Sequence, residues 1–75
     1  MSYEEFEKAI LRLGLYIHWY DESLDVMNGN VKIAKIWKHA NNYTIYETIN
    51  KLDPRDVSSV KTLSLGLAAR NVRKR

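Results

Sequence analysis

The side chains able to do acid, base or nucleophilic work are few in this chain and are not arranged to do it. The two histidines, His18 and His39, are 21 positions apart. Neither belongs to a His-Glu-x-x-His metal motif, and there is no Gly-x-Ser-x-Gly turn and no glycine-rich phosphate loop. Cysteine is absent, which removes thiol catalysis, thiolate metal sites and a disulfide framework, and suits a reducing compartment. Asp21, Glu22 and Asp25 lie close in sequence but lack the ligand spacing and the glycine of a calcium loop. We therefore expect no enzyme, no metal and no cofactor.

Binding chemistry is better represented. Aromatic residues make up 11% of the 75 positions, and Tyr16, His18 and Tyr20 alternate so that they project from one side of a strand, with Lys32 beside them. Sheet-surface aromatics flanked by cations are how single-stranded nucleic acid is stacked and held. The same residue types enrich protein interfaces, and tyrosine is also a good strand former in its own right. Acidic neighbours Glu22 and Asp25 would repel phosphate. A second candidate surface is the basic end, where Arg70, Arg73, Lys74 and Arg75 put four positive charges into six residues. It suits phosphate contact or an acidic protein, or simply a solvated helix end. Trp37 is a third candidate, because it falls outside the regular alternation of core residues.

A chain of 75 residues makes one domain spanning residues 1–75, small enough that most apolar side chains must serve a single core. Its net charge of +3 hides an imbalance: residues 1–30 hold six acids and two bases (−4), whereas residues 31–75 hold ten bases and three acids (+7). Such a dipole can steer a charged partner. No stretch approaches the roughly 18 apolar residues of a membrane span, and the first residues are acidic where a secretory signal would be basic. We expect a cytoplasmic protein with no membrane partner.

The elements that would position these residues follow from caps and periodicity. Ser2-Tyr3-Glu4-Glu5 has the capping-box form, Tyr3, Phe6, Ile10 and Leu13 recur at helical steps, and Gly14 suits a left-handed cap, which predicts a helix over 3–13. From Leu15 the period becomes two. Leu15, Ile17 and Trp19 then share one face and Tyr16, His18 and Tyr20 the other, up to a turn at Asp21-Glu22 that pairs Trp19 with Leu24 and Ile17 with Val26. Asn28-Gly29 predicts a type I′ hairpin, with Val26 facing Val31, Leu24 facing Ile33, Asp25 facing Lys32 and Glu22 facing Lys35. Alternation falters over Ala34-Lys35-Ile36-Trp37, which suggests a bulge or a strand end. Tyr43–Thr48 reads as a fourth, edge strand. Asp53 and Pro54 start a second helix with an apolar stripe of Val57, Val60, Ser64, Leu67 and Ala68. The fold class is α+β: helix, antiparallel meander of three to four strands, helix. Both helices lie on the Leu15, Ile17, Trp19, Leu24, Val26, Val31 and Ile33 face. Trp37 and the edge strand also make a homodimer conceivable.

The run Ser2-Tyr3-Glu4-Glu5-Phe6-x-x-Ala9-Ile10-x-x-Leu13-Gly14-Leu15, followed by Asp25-Val26-x-Asn28-Gly29-Asn30 and the capped last helix, resembles small early-region proteins of siphophages and prophages of lactic-acid bacteria and related Firmicutes. This resemblance spans most of the chain and rests on structural motifs. It differs in the tail, where those proteins are more acidic and this chain ends in Arg73-Lys74-Arg75. It implies an accessory protein acting inside a bacterial cell by stoichiometric binding to a host or phage protein. Inhibitors of host enzymes and anti-CRISPR proteins belong to that class. A single-stranded nucleic-acid-binding module is the alternative that the aromatic and basic residues allow.

Overall fold

Helix α1 (Tyr3–Arg12) starts on the expected capping box. Ser2 Oγ accepts from the Glu5 amide at 3.0 Å, and Glu5 Oε1 accepts from the Ser2 amide at 2.8 Å, so two of the amides orphaned at a helix start are satisfied. The Ser2 amide, and after it the charge of the amino terminus, hold the Glu5 carboxyl below the ordinary carboxylate range. At the other end Gly14 takes φ 81°, while Leu15 N donates to Ile10 O and Gly14 N to Leu11 O. These are the two bonds of a Schellman ending, and they aim the chain directly into the sheet.

The computed structural model describes the backbone of residues 1–73 and the side chains of residues 1–70. Four antiparallel strands, β1 (Tyr16–Trp19), β2 (Ser23–Asn28), β3 (Val31–Trp37) and β4 (Tyr43–Ile45), lie in the order β1-β2-β3-β4. The β1–β2 register is the expected one, with Ile17 opposite Val26 and Trp19 opposite Leu24. The β2–β3 register is not. Asn28 pairs with Val31 and Met27 with Lys32, and past an irregularity Val26 pairs with Ala34, Asp25 with Lys35 and Leu24 with Ile36. The hairpin therefore turns on Gly29-Asn30 rather than Asn28-Gly29. Gly29 alone has positive φ, 61°, as in a turn of type II′ rather than I′. The expected pairs Val26 with Val31, Leu24 with Ile33 and Glu22 with Lys35 are thereby replaced, and Val31 is exposed at the hairpin end instead of buried.

The fourth strand is also shorter than expected. β4 stops at Ile45, and residues Glu47–Lys51 form a 3-10 helix. Two acceptors on β3 explain the change. Tyr46 N donates to Ile33 O at 3.0 Å, and the Thr48 hydroxyl donates to Lys32 O, so the segment after β4 satisfies the carbonyls beside the β3 irregularity. Helix α2 (Pro54–Arg73) begins with Asp53 Oδ1 accepting from the Arg55 amide at 3.0 Å.

Phe6 and Ile10 of α1 and Val60 and Leu67 of α2 pack with Ile17, Leu24, Val26, Ile33 and Ile36 in one buried cluster. Both helices thus cover one face of the sheet, and the fold is the expected α+β. Besides Val31 at the hairpin end, Trp19 is the exception on that face. It remains 40% exposed at the sheet margin, edge-on to Tyr3 at 6.1 Å, with its indole N–H donating to Glu7 Oε2 at 3.3 Å. Truncating the buried Phe6 to alanine is expected to cost about 3–5 kcal/mol and to unfold the domain under mild urea, whereas Tyr16→Ala should shift the urea midpoint far less. The capping-box carboxylate adds a second expectation. Its stabilisation is present above the unfolded-state pKa and is lost as pH falls through the lower folded value. Urea titrations at decreasing pH should therefore show a shallower acid loss for Glu5→Gln than for the wild-type chain.

Candidate functional site on the open sheet face

With both helices on one side, the other side of the sheet carries the candidate side chains. β1 presents Tyr16 and His18, with Tyr20 at the start of the following turn. β2 presents Ser23, Asp25 and Met27 between them, and β3 presents Lys32, Lys35 and Trp37. Of the residues expected to bind a partner, Tyr16, His18, Tyr20, Lys32 and Trp37 are brought together here. Tyr16, Tyr20 and Trp37 keep 43%, 43% and 37% of their surface exposed.

At the centre is a carboxylate. Asp25 is 0% exposed although it sits on the face that looks away from the helices. Lys35 Nζ approaches its Oδ1 at 3.1 Å and Lys32 Nζ its Oδ2 at 3.6 Å, yet neither oxygen receives a well-aligned hydrogen bond. Its charge is thus balanced mainly by the proximity of two ammonium groups. Lys35 also donates to Ser23 Oγ at 3.3 Å and lies 5.3 Å from the Tyr20 ring centre and 5.2 Å from that of Trp37, within cation–π range of both.

This arrangement depends on the irregularity in β3. Residues 32 and 35 differ by an odd number, so a regular strand would send them to opposite faces. A bulge inserts one unpaired residue. Here it falls at Ile33 and places both lysines beside Asp25. Ile33 and Ala34 are both buried in consequence. Lys35 was missed as a site residue by sequence reasoning. The signal that could have found it was the broken alternation over Ala34-Lys35-Ile36-Trp37, combined with Asp25, an acid set among the apolar residues of the second strand.

The aromatic rings are held in place rather than left free. Tyr16 donates its hydroxyl to Gly29 O at 2.8 Å. His18 and Tyr20 stack at 4.9 Å with 28° between ring planes. Tyr20 therefore has His18 and the Lys35 ammonium against its ring, and Trp37 shares that ammonium. Of the basic end of the chain, the described Arg70 is elsewhere. Arg70 lies on the helix side, half-buried, with its guanidinium carbon 4.9 Å from the Tyr3 ring centre. The side chain of Arg73, and Lys74 and Arg75 entirely, lie outside the described residues.

An open groove of about 430 Å³ lies away from this face, between α1 and α2, lined by Ala9, Arg12, Leu13, Ser58, Thr62 and Leu63. Among the described residues no group of three or more His, Asp or Glu converges on a point that could hold a metal ion, and no helix is long and apolar enough to cross a membrane. Comparison of the chain with models of protein families, with curated proteins and with solved structures finds no match.

Removing one partner of a buried ion pair strands the remaining charge, while replacing the acid with an apolar residue lets the partly exposed lysines turn to water. Lys35→Met should therefore destabilise the domain by at least about 1 kcal/mol more than Asp25→Val does. Chemical denaturation of the two variants side by side checks the order.

Proposed function

We propose that this protein acts by stoichiometric association with a larger protein through the open sheet face, and that it is an accessory protein of the phage type that the sequence resembles. The observation that carries the reading is the immobilised aromatic cluster around Lys35. Tyr20, Trp37 and Tyr16 are exposed, yet each is already restrained by an ion, a stacked ring or a hydrogen bond. Large amphipathic side chains that are ordered before binding lose little entropy on association, and Tyr and Trp are the residues on which interface energy concentrates.

Nucleic acid fits this face less well. Base stacking needs an aromatic face open to the incoming base, and the Tyr20 ring is occupied by His18 and Lys35. Two lysines sharing one buried carboxylate leave a net of one positive charge at the centre, which is little attraction for a phosphate chain.

Immobilised wild-type protein should capture a defined bacterial or phage protein from lysate, and the Tyr20→Ala/Trp37→Ala variant should lose at least about nine-tenths of that capture while remaining folded, in line with hot-spot truncation. A folded wild-type bait that retains nothing above background overturns the reading. Retention of single-stranded oligonucleotide that weakens steeply with salt and depends on the same two rings would replace it with the nucleic-acid alternative.

A further inference from the structure

We infer that the open face is self-complementary and that in the free protein it is covered by a second copy of this chain, packed face to face with its strands antiparallel to the first. The inference rests on reading that face as a protein interface.

Charge is separated along the strands. At the β2–β3 hairpin end stands Lys32, whose side chain is 52% exposed and whose pairing to Asp25 is loose at 3.6 Å. The other oxygen of that carboxylate is held by Lys35 at 3.1 Å, whose ammonium lies toward Tyr20 and Trp37, so Asp25 is already neutralised and the charge of Lys32 leaves this end positive. At the opposite end the β1–β2 turn carries Asp21 and Glu22, which are exposed and have no ion-pair partner among the described residues. The rings are distributed in the same way, with Tyr16 at the Lys32 end and Tyr20 and Trp37 at the acidic end.

A two-fold axis lying between two such sheets and perpendicular to their strands brings the Lys32 end of each copy over the acidic turn of the other. It also sets Tyr16 of one against Tyr20 of the other, and Lys32 of one against Trp37 of the other. A face-to-face packing with parallel strands opposes Lys32 to Lys32 and the acidic turns to each other, which costs affinity. The antiparallel contact is isologous, so it closes at two copies and leaves no propagating surface. Four strands at about 4.8 Å spacing make a patch about 19 Å wide. That is at the small end for a specific interface, so the dimer is expected to dissociate in the micromolar range and to yield to a tighter heterologous partner.

Sedimentation velocity of the full chain from low micromolar to high concentration should show the mass rising from 8.8 kDa toward twice that value. Glu22→Lys lies in an exposed turn and touches neither Asp25 nor the core, and should raise the dissociation constant about tenfold or more. Adding Lys32→Glu to it should restore most of the lost affinity. Because an acid at position 32 can destabilise the region around Asp25, a second readout is independent of it. The chain has no cysteine, so Lys32→Cys and Glu22→Cys proteins can be mixed and oxidised, and the dimer linking position 22 to position 32 should form in preference to either same-site dimer. A wild-type chain that stays monomeric throughout, a Glu22→Lys variant that dimerises unchanged, or same-site disulfides that dominate would each overturn the inference. If the chain is monomeric but lysate capture still requires Tyr20 and Trp37, only the second copy falls. If both are absent, the interface reading falls with it.

Discussion

The organisation of the open sheet face depends on one buried charge. Asp25 occupies the middle of the second strand, fully covered, and a carboxylate in that position is unfavourable unless cations are brought to it. Two arrive from the third strand, and they can do so only because the strand is bulged between them. The bulge in turn leaves main-chain carbonyls at Lys32 and Ile33 for the segment after the fourth strand, which answers with the Thr48 hydroxyl and the Tyr46 amide. The shortened edge strand, the 3-10 helix that follows it and the cluster of Tyr20, Lys35 and Trp37 are thus parts of one arrangement. Substituting a hydrophobic pair for Asp25 and Lys35 would make a simpler sheet. Its aromatic rings would then lack the ion that spaces them.

Local chemistry made much of this architecture legible. The capping box at Ser2 and Glu5 and the cap at Gly14 are decided within a few residues, so the first helix and its exit could be read directly. The turn between the first two strands is equally local, and its pairs Ile17 with Val26 and Trp19 with Leu24 came out in register. The next hairpin did not. Asn-Gly favours positive φ at both central positions, but this turn uses it at Gly29 alone, which moved the pairing by two positions. The bulge then moved it by one more. Faces survived the first shift because the side-chain period is two, and the second is what turned Lys35 toward Asp25.

The candidate site was legible in its aromatic half and hidden in its ionic half. Tyr16, His18 and Tyr20 share parity on a strand whose register is local, so their common face needed no tertiary knowledge. Lys35 reaches that face only through a bulge whose energetic reason is a carboxylate on another strand. Arg70 shows the converse. In sequence it belongs to a basic tail, but one helical turn earlier than the rest of that tail it meets Tyr3 across the helix layer, and a guanidinium over a ring is a packing contact as much as a charge.

A sheet of four strands with two helices has enough helix to cover one side only, so an open face is built into a chain of this length. Its composition is not. Threonine, lysine and glutamate would make a solvated surface at little cost. Here three exposed positions, Tyr16, Tyr20 and Trp37, are given to rings, and Asp25 between them is withdrawn from solvent and neutralised. A small domain without a disulfide has little stability to spare, and a buried ion pair is an inefficient way to add to it. What the pair does supply is order: it fixes the lysine that lies between Tyr20 and Trp37, and so fixes the relative placement of two of the exposed rings on that face. An arrangement that sacrifices stability to hold aromatic side chains still in water makes physical sense if something is to be placed against them.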